Sequence, residues 1–353
     1  MRFAIDIREA CRPHRTGKGQ WTYGFLSELR HRGHSIIGYT DTTIPSSLAG
    51  EDIEVRCFAD RGLSWHFHVA SDVRRRKEVD LYVSPTSFIV PSLLKRSFPI
   101  VPIVHDLIAF RGEPHNRKAT FIERWTLPRA VRYASHICTV SEATKHDLLA
   151  RFPHVHSANV SAIFAGPMHD KRPLSTPDHR TILCIGTLSP RKNQLRLIEA
   201  YSRLPSSLRE RFTLTLVGGR GWLDEDIVAL AARTPGVEWK GYADDQEYGA
   251  LLSCCTLFAL PSLYEGFGMQ LLDAMQRGVP ILTSDRGSIR EVCGNAAHYV
   301  DPEDTSAIAQ GLELLLCSDL LRQDLREKGR EQAQCFSWAK TVDLFLQSVK
   351  AAV

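Results

Sequence analysis

No stretch of this 353-residue chain approaches the ~20 consecutive apolar residues that a membrane-spanning helix needs, so any membrane association is expected to be peripheral. The opening MRFAIDIREA reads as a strand and not as a signal peptide, because no long apolar segment follows Arg2. None of the nine cysteines falls in a CxxC pair, and Cys254 and Cys255 are adjacent inside an apolar run. The odd count and the missing pair motif exclude a disulfide framework and read as reduced, mostly buried thiols of a cytoplasmic protein. There is no HExxH spacing among the 14 histidines. His66 and His68 alternate around Phe67, in what reads as an extended or loop segment without cysteine nearby, so zinc is not expected. No GxGxxG is followed about 20 positions later by an acid, which disfavours a nicotinamide enzyme. Repeats of 20–50 residues and low-complexity tracts are absent.

The hydrophobic fraction is 43 % and the charged fraction 24 %, values typical of a folded domain protein. The length suits two α/β domains better than one core. Net charge is +4, but residues 1–169 carry +7 and the remainder −3. The run Arg74-Arg75-Arg76-Lys77 and the scattered Lys95, Arg96, Arg117, Lys118, Arg124 and Arg129 supply much of the excess. They read as a solvated helix face or, more sharply, as a surface for an anionic membrane or a phosphate-bearing acceptor.

Strand and helix patterns alternate twice, which argues for parallel sheets. In the first half, residues 3–7, 35–39, 81–83, 100–104 and 136–140 read as strands. Residues 17–33 read as a turn and helix with Trp21, Phe25, Leu26 and Leu29 on one face. Ser141 is a plausible N-cap for a helix over 142–151. Residues 166–180, rich in proline, charge and small side chains, read as the linker. Strands then follow at 181–186, 214–217, 237–239, 257–260, 281–283 and 298–300, with a last helix over 338–352. Domains are therefore expected at 1–165 and 181–335, with ligands at the carboxyl ends of the strands.

The most informative segment is LFALPSLYEGFGMQLLDAMQRGVPILTSD, residues 257–285. A buried strand runs through a Pro–Ser turn into a Glu-Gly-Phe-Gly loop. A helix using Leu271, Leu272 and Met275 follows, with Gly278 where a C-cap wants it and Pro280 opening the next strand. A glycine-rich loop entering a helix offers backbone N–H groups and a favourable dipole to phosphate. Glu265 in the loop and Asp273 on the helix can accept from sugar hydroxyls. A diphosphate flanked by two polyols is what a nucleotide sugar presents. In IGTLSPRKNQLRLIEAY, residues 185–201, a strand ends at Gly186 and a Pro-turn brings Arg191 and Lys192 to a helix start near Asn193. Two cations there suit a diphosphate. RTGKGQWTYGFL places Gly17 and Gly19 just before a helix, where close backbone approach to donor phosphates or acceptor would need them. VPIVHDLIAF puts His105 and Asp106 at the end of a strand.

Residues 257–285 resemble the signature of glycosyltransferase family 4, the retaining group 1 enzymes with the GT-B fold. That pattern is a Glu, seven residues, then a second Glu; here the positions hold Glu265 and Asp273. The resemblance implies an α/β fold of two Rossmann-like domains facing a central cleft, with a C-terminal helix from about residue 336 crossing back to the N-terminal domain. It implies that Glu265 contacts the transferred sugar and Asp273 the ribose, and that the backbone of Gly266, Phe267, Gly268 and Met269 meets sugar and phosphates. Asp is one methylene shorter and reaches ~1.5 Å less, so ribose contact needs a helix shift or a water. Lys192 matches a cation of the family, whose frequent Arg after the glycine is Thr187 here. The RTGKGQWTYGFL segment is similar to the family's TGIGRY-type loop, and His105 to a histidine that borders the donor sugar. TVSEATKHDL resembles the family's helix start, with Ser141 and Lys145 near the cleft. Gly218, in LVGGRGWLDEDI, and Gly241 with Tyr242 are expected to frame the base.

Asp224-Glu225-Asp226 and Asp244-Asp245 read as helix N-terminal charge and not as metal ligands. The expectation is a retaining hexosyltransferase, with mannose and guanine suggested by the GTLSPRKN form. It needs no metal or other cofactor and takes no nucleic acid. Its partners would be a nucleotide-sugar donor and a saccharide or lipid-linked acceptor, in bacterial surface-polysaccharide synthesis, with possible peripheral contact with the inner face of the cell membrane. Without carboxylates paired for double displacement, a front-face mechanism is expected. Glu265→Ala or Lys192→Ala should lower turnover by orders of magnitude in a protein that stays folded. A non-catalytic nucleotide-sugar-binding subunit and a hydrolase or epimerase on the same fold remain open alternatives.

Overall fold

The structure is a computed structural model that describes residues 1–60, 62–76, 78–112, 116–169 and 180–350. The chain divides into two compact units, Met1–Gly166 with Ser337–Val353, and Pro167–Phe336. The central part of the expected linker, 170–179, lies outside the described residues, as does Lys77.

The first unit is built on seven strands: β1 Arg2–Asp6, β2 Ser35–Thr40, β3 Ile53–Cys57, β4 Leu81–Ser84, β5 Ile100–Val104, β6 Ile137–Thr139 and β7 Val160–Ala162. They form one sheet in the order β3-β2-β1-β4-β5-β6-β7, and every pairing is parallel. Strands β4, β5 and β6 are buried at every position, as expected of a parallel sheet covered by helices on both faces. Sequence reading missed β3 and β7. β3 lies at the sheet edge, with only Ile53 buried and four polar or half-exposed positions after it, so it carries no apolar run.

Among the described residues the second unit has six strands: β8 Thr181–Ile185, β9 Thr213–Val217, β10 Val237–Trp239, β11 Leu257–Leu260, β12 Ile281–Thr283 and β13 His298–Tyr299. Their order is β10-β9-β8-β11-β12-β13, again with parallel pairings. In both sheets the first strand in sequence sits centrally, and the chain winds outward to each side of it. The point of reversal lies between β1 and β4 in one unit and between β8 and β11 in the other. Loops leaving these strands at their carboxyl ends diverge and leave room for a ligand.

The helix Trp338–Lys350 belongs to the first unit. Its Thr341, Val342, Phe345 and Val349 are buried at spacings of one helical face. Phe345 packs on Phe3 and Phe25, with ring centroids 5.7 and 4.9 Å apart. Gly24 and Gly166 make room for the Trp338 indole: a Cβ on either would approach ring atoms to 2.1 and 2.7 Å. Burial of each such aromatic side chain contributes about 1.5–3 kcal/mol, enough to return the chain terminus to this unit.

One expectation needs correction. His66 and His68 lie in the helix Leu63–Arg75, where residues two apart point to opposite sides. His66 is buried, and the His68 ring is 2.7 Å from the Asp60 carboxylate. Asp224-Glu225-Asp226 stand at a helix start, as read: Asp224 immediately precedes the helix Glu225–Arg233 and Glu225 and Asp226 lie in its first turn, while the Asp224 carboxylate takes Arg220 and the Gly221 N–H. Asp244 does cap the helix Asp245–Cys254, accepting from the N–H groups of Gln246 and Glu247. Among the described residues no helix is long and apolar enough to cross a membrane.

Candidate active site

In the second unit, β8 and β11 flank the reversal point, and the loops that leave them meet. β8 ends at Ile185; Gly186 and a single turn, Pro190–Lys192, carry Arg191 and Lys192. β11 ends at Leu260; Ser262 and Glu265 follow in its loop. The Glu265 carboxylate joins the two loops. Oε1 accepts from Lys192 Nζ at 2.6 Å and from Ser262 Oγ at 2.7 Å, and Oε2 accepts from Arg191 Nη1 at 2.8 Å. Arg191 Nη1 also donates to the Tyr264 carbonyl at 2.6 Å.

Glu265 and Lys192 are each 5 % exposed. Burial alone would push the Glu265 carboxyl up. Arg191 and Lys192 overcome it, with the Lys192 and Ser262 hydrogen bonds, and hold it down at about 2. Glu265 is therefore a carboxylate at neutral pH. Burial, with Arg191 adding to it, lowers Lys192 from its ordinary value, and Glu265 opposes that shift. Sequence reading named the three charged members but not the side chains that brace them. Ser288 donates both its N–H and its Oγ–H to the Glu265 carbonyl. Gly287, at φ +64°, passes so close that a Cβ would sit 2.3 Å from that oxygen. Asn193, in the left-handed region at φ 61°, donates Nδ2 to the carbonyls of Pro261 and Pro302. Gln194 bonds back to the Ser189 N–H and the Thr187 carbonyl. The ordinary helix-start reading of Asn193 concealed this function, since nothing local distinguishes a loop clamp from an N-cap.

The glycines divide by role. A Cβ on Gly218 would come within 2.1 Å of the Gly186 carbonyl, so these two loop ends touch through bare backbone. Gly218 N–H also donates to the Gly241 carbonyl at 2.6 Å, and Trp239 Nε1–H to the Gly218 carbonyl at 2.9 Å. Tyr242, next to Gly241, is 42 % exposed. Gly268, at φ +86°, turns the chain into the helix Met269–Gln276. Gly266 lies in the turn before it, and Phe267 and Met269 are buried, Phe267 edge-on to Phe336.

Asp273 stands on that helix but shares no hydrogen bond or ion pair with the Glu265 group among the described residues. It is fully enclosed. Oδ1 accepts from the Met168 N–H at 2.9 Å. The Tyr248 hydroxyl and the His169 backbone N–H also approach the carboxylate and favour its charged form. Burial pushes the carboxyl up to about 7, against the pull of Arg277, the Met168 N–H and Tyr248. The expected ribose contact is therefore covered in this structure by the segment at Met168 and His169; His169 also packs against the Tyr248 ring, 4.6 Å away.

The remaining predicted residues lie in the first unit. Gly17 opens the helix Gly17–His31, which Thr16 caps by accepting from Gly19 N–H. The close approach that demands a glycine at 19 is to the Glu9 carbonyl, 2.6 Å from where a Cβ would be. His105 follows β5, and its ring meets Trp21 edge-on at 5.3 Å. Nε2 lies 2.8 Å from the Pro85 carbonyl, which follows β4. A carbonyl only accepts, so Nε2 carries the proton and Nδ1 is left as an acceptor. Burial, then Lys18, lowers the ring to about 3 despite Asp106, so it stays neutral. The Lys18 ammonium is 3.9 Å from the Asp106 carboxylate, which brings the glycine loop beside His105. Ser141 caps the helix Glu142–Arg151 through Thr144 N–H.

Two parallel sheets with central reversal points, and a buried carboxylate clamped by two cations where a glycine loop enters a helix, define a transferase of the nucleotide-sugar type. The family model described as glycosyl transferases group 1 matches residues 168–332. The chain is 31 % identical over 276 residues to the O-antigen chain mannosyltransferase B of Escherichia coli, covering 73 % of this chain and 71 % of that protein. It is 33 % identical over 178 residues to the serotype-specific mannosyltransferase WbdA of the same species, where it spans only 22 % of the relative. The fold matches the crystal structure of Anabaena Alr3699/HepE in complex with UDP and glucose at a TM-score of 0.78, with 17 % identity and 99 and 100 % of the two chains covered. The chain belongs to the group 1 glycosyl transferases, and is a glycosyltransferase with the GT-B fold.

Proposed function

We propose that the chain transfers mannose, with retained anomeric configuration, from a guanosine diphosphate sugar to a hydroxyl of a saccharide or lipid-linked saccharide. The setting would be assembly of a bacterial surface polysaccharide on the cytoplasmic side of the membrane. The observation that carries this is the Glu265 carboxylate clamped by Arg191 and Lys192 across the sheet's reversal point. The mannosyltransferase relatives support the choice of sugar.

In the proposed reaction the bond from the anomeric carbon to the diphosphate oxygen breaks as the acceptor oxygen bonds to the same face. The acceptor proton passes to the departing diphosphate. The work of the protein is positioning and charge stabilisation. Arg191 and Lys192 stabilise the diphosphate as its charge grows, and need no metal to do so. Glu265 fixes both cations, and its loop, with Gly266 to Met269, receives the sugar and phosphates. His105 offers Nδ1 as an acceptor to a sugar hydroxyl, and being neutral it orients rather than protonates. Asp273 Oδ2 is the acceptor for a ribose hydroxyl once the segment at Met168 gives way.

The test is thermal shift with a panel of nucleoside diphosphates and their sugars, with and without EDTA, because a ligand of the native state raises its apparent stability. A shift with the guanosine compounds that survives EDTA is expected. A shift with another base alone overturns the donor, and loss of the shift in EDTA overturns metal independence. Transfer with acceptor, read by the anomeric proton of the product, separates retention from inversion. Free mannose released without acceptor would favour a hydrolase, and an interconverted donor an epimerase.

A further inference from the structure

We propose that a hollow at the amino-terminal edge of the second unit's sheet is a binding site for a phosphate group, held by Arg211, Arg322, Arg326 and the Thr256 hydroxyl. These residues line it together with Phe212 and Asp319, and its volume is ≈ 270 Å³, a space that several waters would fill. Phe212 directly precedes β9, and Thr256 directly precedes β11. Glu265 follows β11, so the hollow and the clamped carboxylate lie at opposite edges of one sheet. No residue assigned to the donor lines it.

Local sequence sets the cations side by side. Arg322 and Arg326 are four apart on the helix Asp319–Ala333, and residues so spaced are neighbours on one face. Arg211 ends the helix Ser206–Arg211, and its guanidinium lies 5.0 Å from the Phe212 ring centroid. Arg322 is 9 % exposed. Its Nη1 donates to the carbonyls of Leu315 and Leu316, and its Nη2 to the Asp319 carboxylate, which stands out in solvent. The side chains of Arg211 and Arg326 form no hydrogen bond or ion pair among the described residues. Like charges four apart on a helix destabilise it. Burial, then Arg326 and Arg211, lowers Arg322 from its ordinary value. The lining thus carries three cations against one solvated carboxylate, an excess that a bound anion neutralises.

A second observation is independent of charge. Thr256 is 3 % exposed, and its hydroxyl has no hydrogen-bond partner among the described residues. Its backbone N–H is spent on the Thr181 carbonyl at 2.9 Å, which fixes the residue at the entry of β11. A buried hydroxyl without a partner is costly, and an acceptor atom in the hollow satisfies this one. Guanidinium groups and a hydroxyl offer donors from several sides. The oxygens of a phosphate point in as many directions, and charge-assisted hydrogen bonds to them are strong.

Thermal shift of the whole chain with inorganic phosphate, against chloride at equal ionic strength, tests this. Phosphate should raise the melting temperature and chloride should not. A parallel titration with glycerol 3-phosphate separates the sources: tighter binding than phosphate assigns the hollow to a phosphate ester, and weaker binding to the free ion. Arg326→Gln and Thr256→Val should each raise the half-saturating phosphate concentration at least ~10-fold, the order lost with one charge-assisted hydrogen bond. The shift with guanosine diphosphate should be unchanged in both. Without phosphate, Arg326→Gln should melt no lower than wild type, because it removes a like charge from beside Arg322. No phosphate shift in the wild type, or a shift that both variants keep, overturns the site. A variant that melts lower without phosphate yet keeps its phosphate shift marks a structural arginine and overturns it too. Phosphate and donor are read separately, so a chain that takes phosphate in the hollow but no guanosine compound counts against the donor alone.

Discussion

Glu265 and Asp273 stand eight residues apart in one loop and helix, both enclosed by protein, yet burial acts on them with opposite results. Glu265 is held at about 2 and Asp273 is raised to about 7. Burial raises both; the difference is partners. Glu265 has two cations and a hydroxyl on its oxygens, whereas Asp273 is met by the backbone N–H groups of Met168 and His169. A buried carboxylate stays charged only where opposite charge is brought to it. The first is thus an electrostatic fixture of the site, and the second an acid whose state changes within the neutral range.

The largest effect should come from breaking the first of the pair. Glu265→Gln keeps the shape but removes the charge that fixes Arg191 and Lys192. Turnover should fall ~10²–10³-fold, the range seen when one preorganised charge contact is lost. Glu265→Ala should also destabilise by ~3–5 kcal/mol, because it leaves Lys192 buried without its partner. The structure thus revises the expectation that alanine there leaves folding untouched, and makes the Gln variant the cleaner probe of chemistry. The sign of the pH effect follows. A carboxyl depressed on folding contributes stability that is present above its unfolded value and lost as pH falls through about 2. Acid unfolding of wild type should therefore be steeper below pH ~4.5 than that of Glu265→Gln. Turnover of the Gln variant within a few-fold of wild type would sink the assigned role.

Asp273→Asn should act in the opposite direction. Asp273 binds its proton more tightly folded than unfolded, so its contribution to stability falls as pH rises from about 4 through about 7. Asn keeps an oxygen for Met168 N–H and cannot ionise. The variant should gain ~4 kcal/mol at pH 8 and less than half of that at pH 5. Melting curves at the two pH values decide it; an equal change at both would mean that Asp273 is not the titrating group.

Much of this contrast was legible in the sequence. The glycine loop, its two carboxylates and the Arg191–Lys192 pair were read from residue types, and the Glu-x7-Asp spacing from the family resemblance; local rules carry that far: a buried strand, a Pro–Ser turn, a helix stop at Gly278. The central strands were legible for the same reason, since both faces are covered and their runs are continuously apolar. The bracing of Glu265 was not. Ser262, Ser288 and Gly287 are 3, 23 and 22 positions away and gain meaning only when β11 and β12 pair. The enclosure of Asp273 was also hidden, because Met168 and Tyr248 reach it from 105 and 25 residues away. Residue type declares a charge; its partners are a tertiary property, and here the partners decide the protonation state.

The smallest and sharpest test is Tyr248→Phe. The hydroxyl is buried and lies close enough to Asp273 to favour its charged form. At pH 5, where Asp273 is protonated in the folded chain, removing the hydroxyl should change stability little. At pH 8 the variant should lose ~0.5–1 kcal/mol, the size of one modest polar contact, because the carboxylate loses a nearby dipole. That loss should vanish in the Asp273→Asn background, where there is no charge to support. The double-mutant cycle isolates the pair from everything else around it. A Tyr248→Phe effect that is the same at both pH values, or that persists when Asp273→Asn is also present, would assign the phenol to packing and leave the Met168 and His169 N–H groups as the hydrogen-bond donors that moderate Asp273.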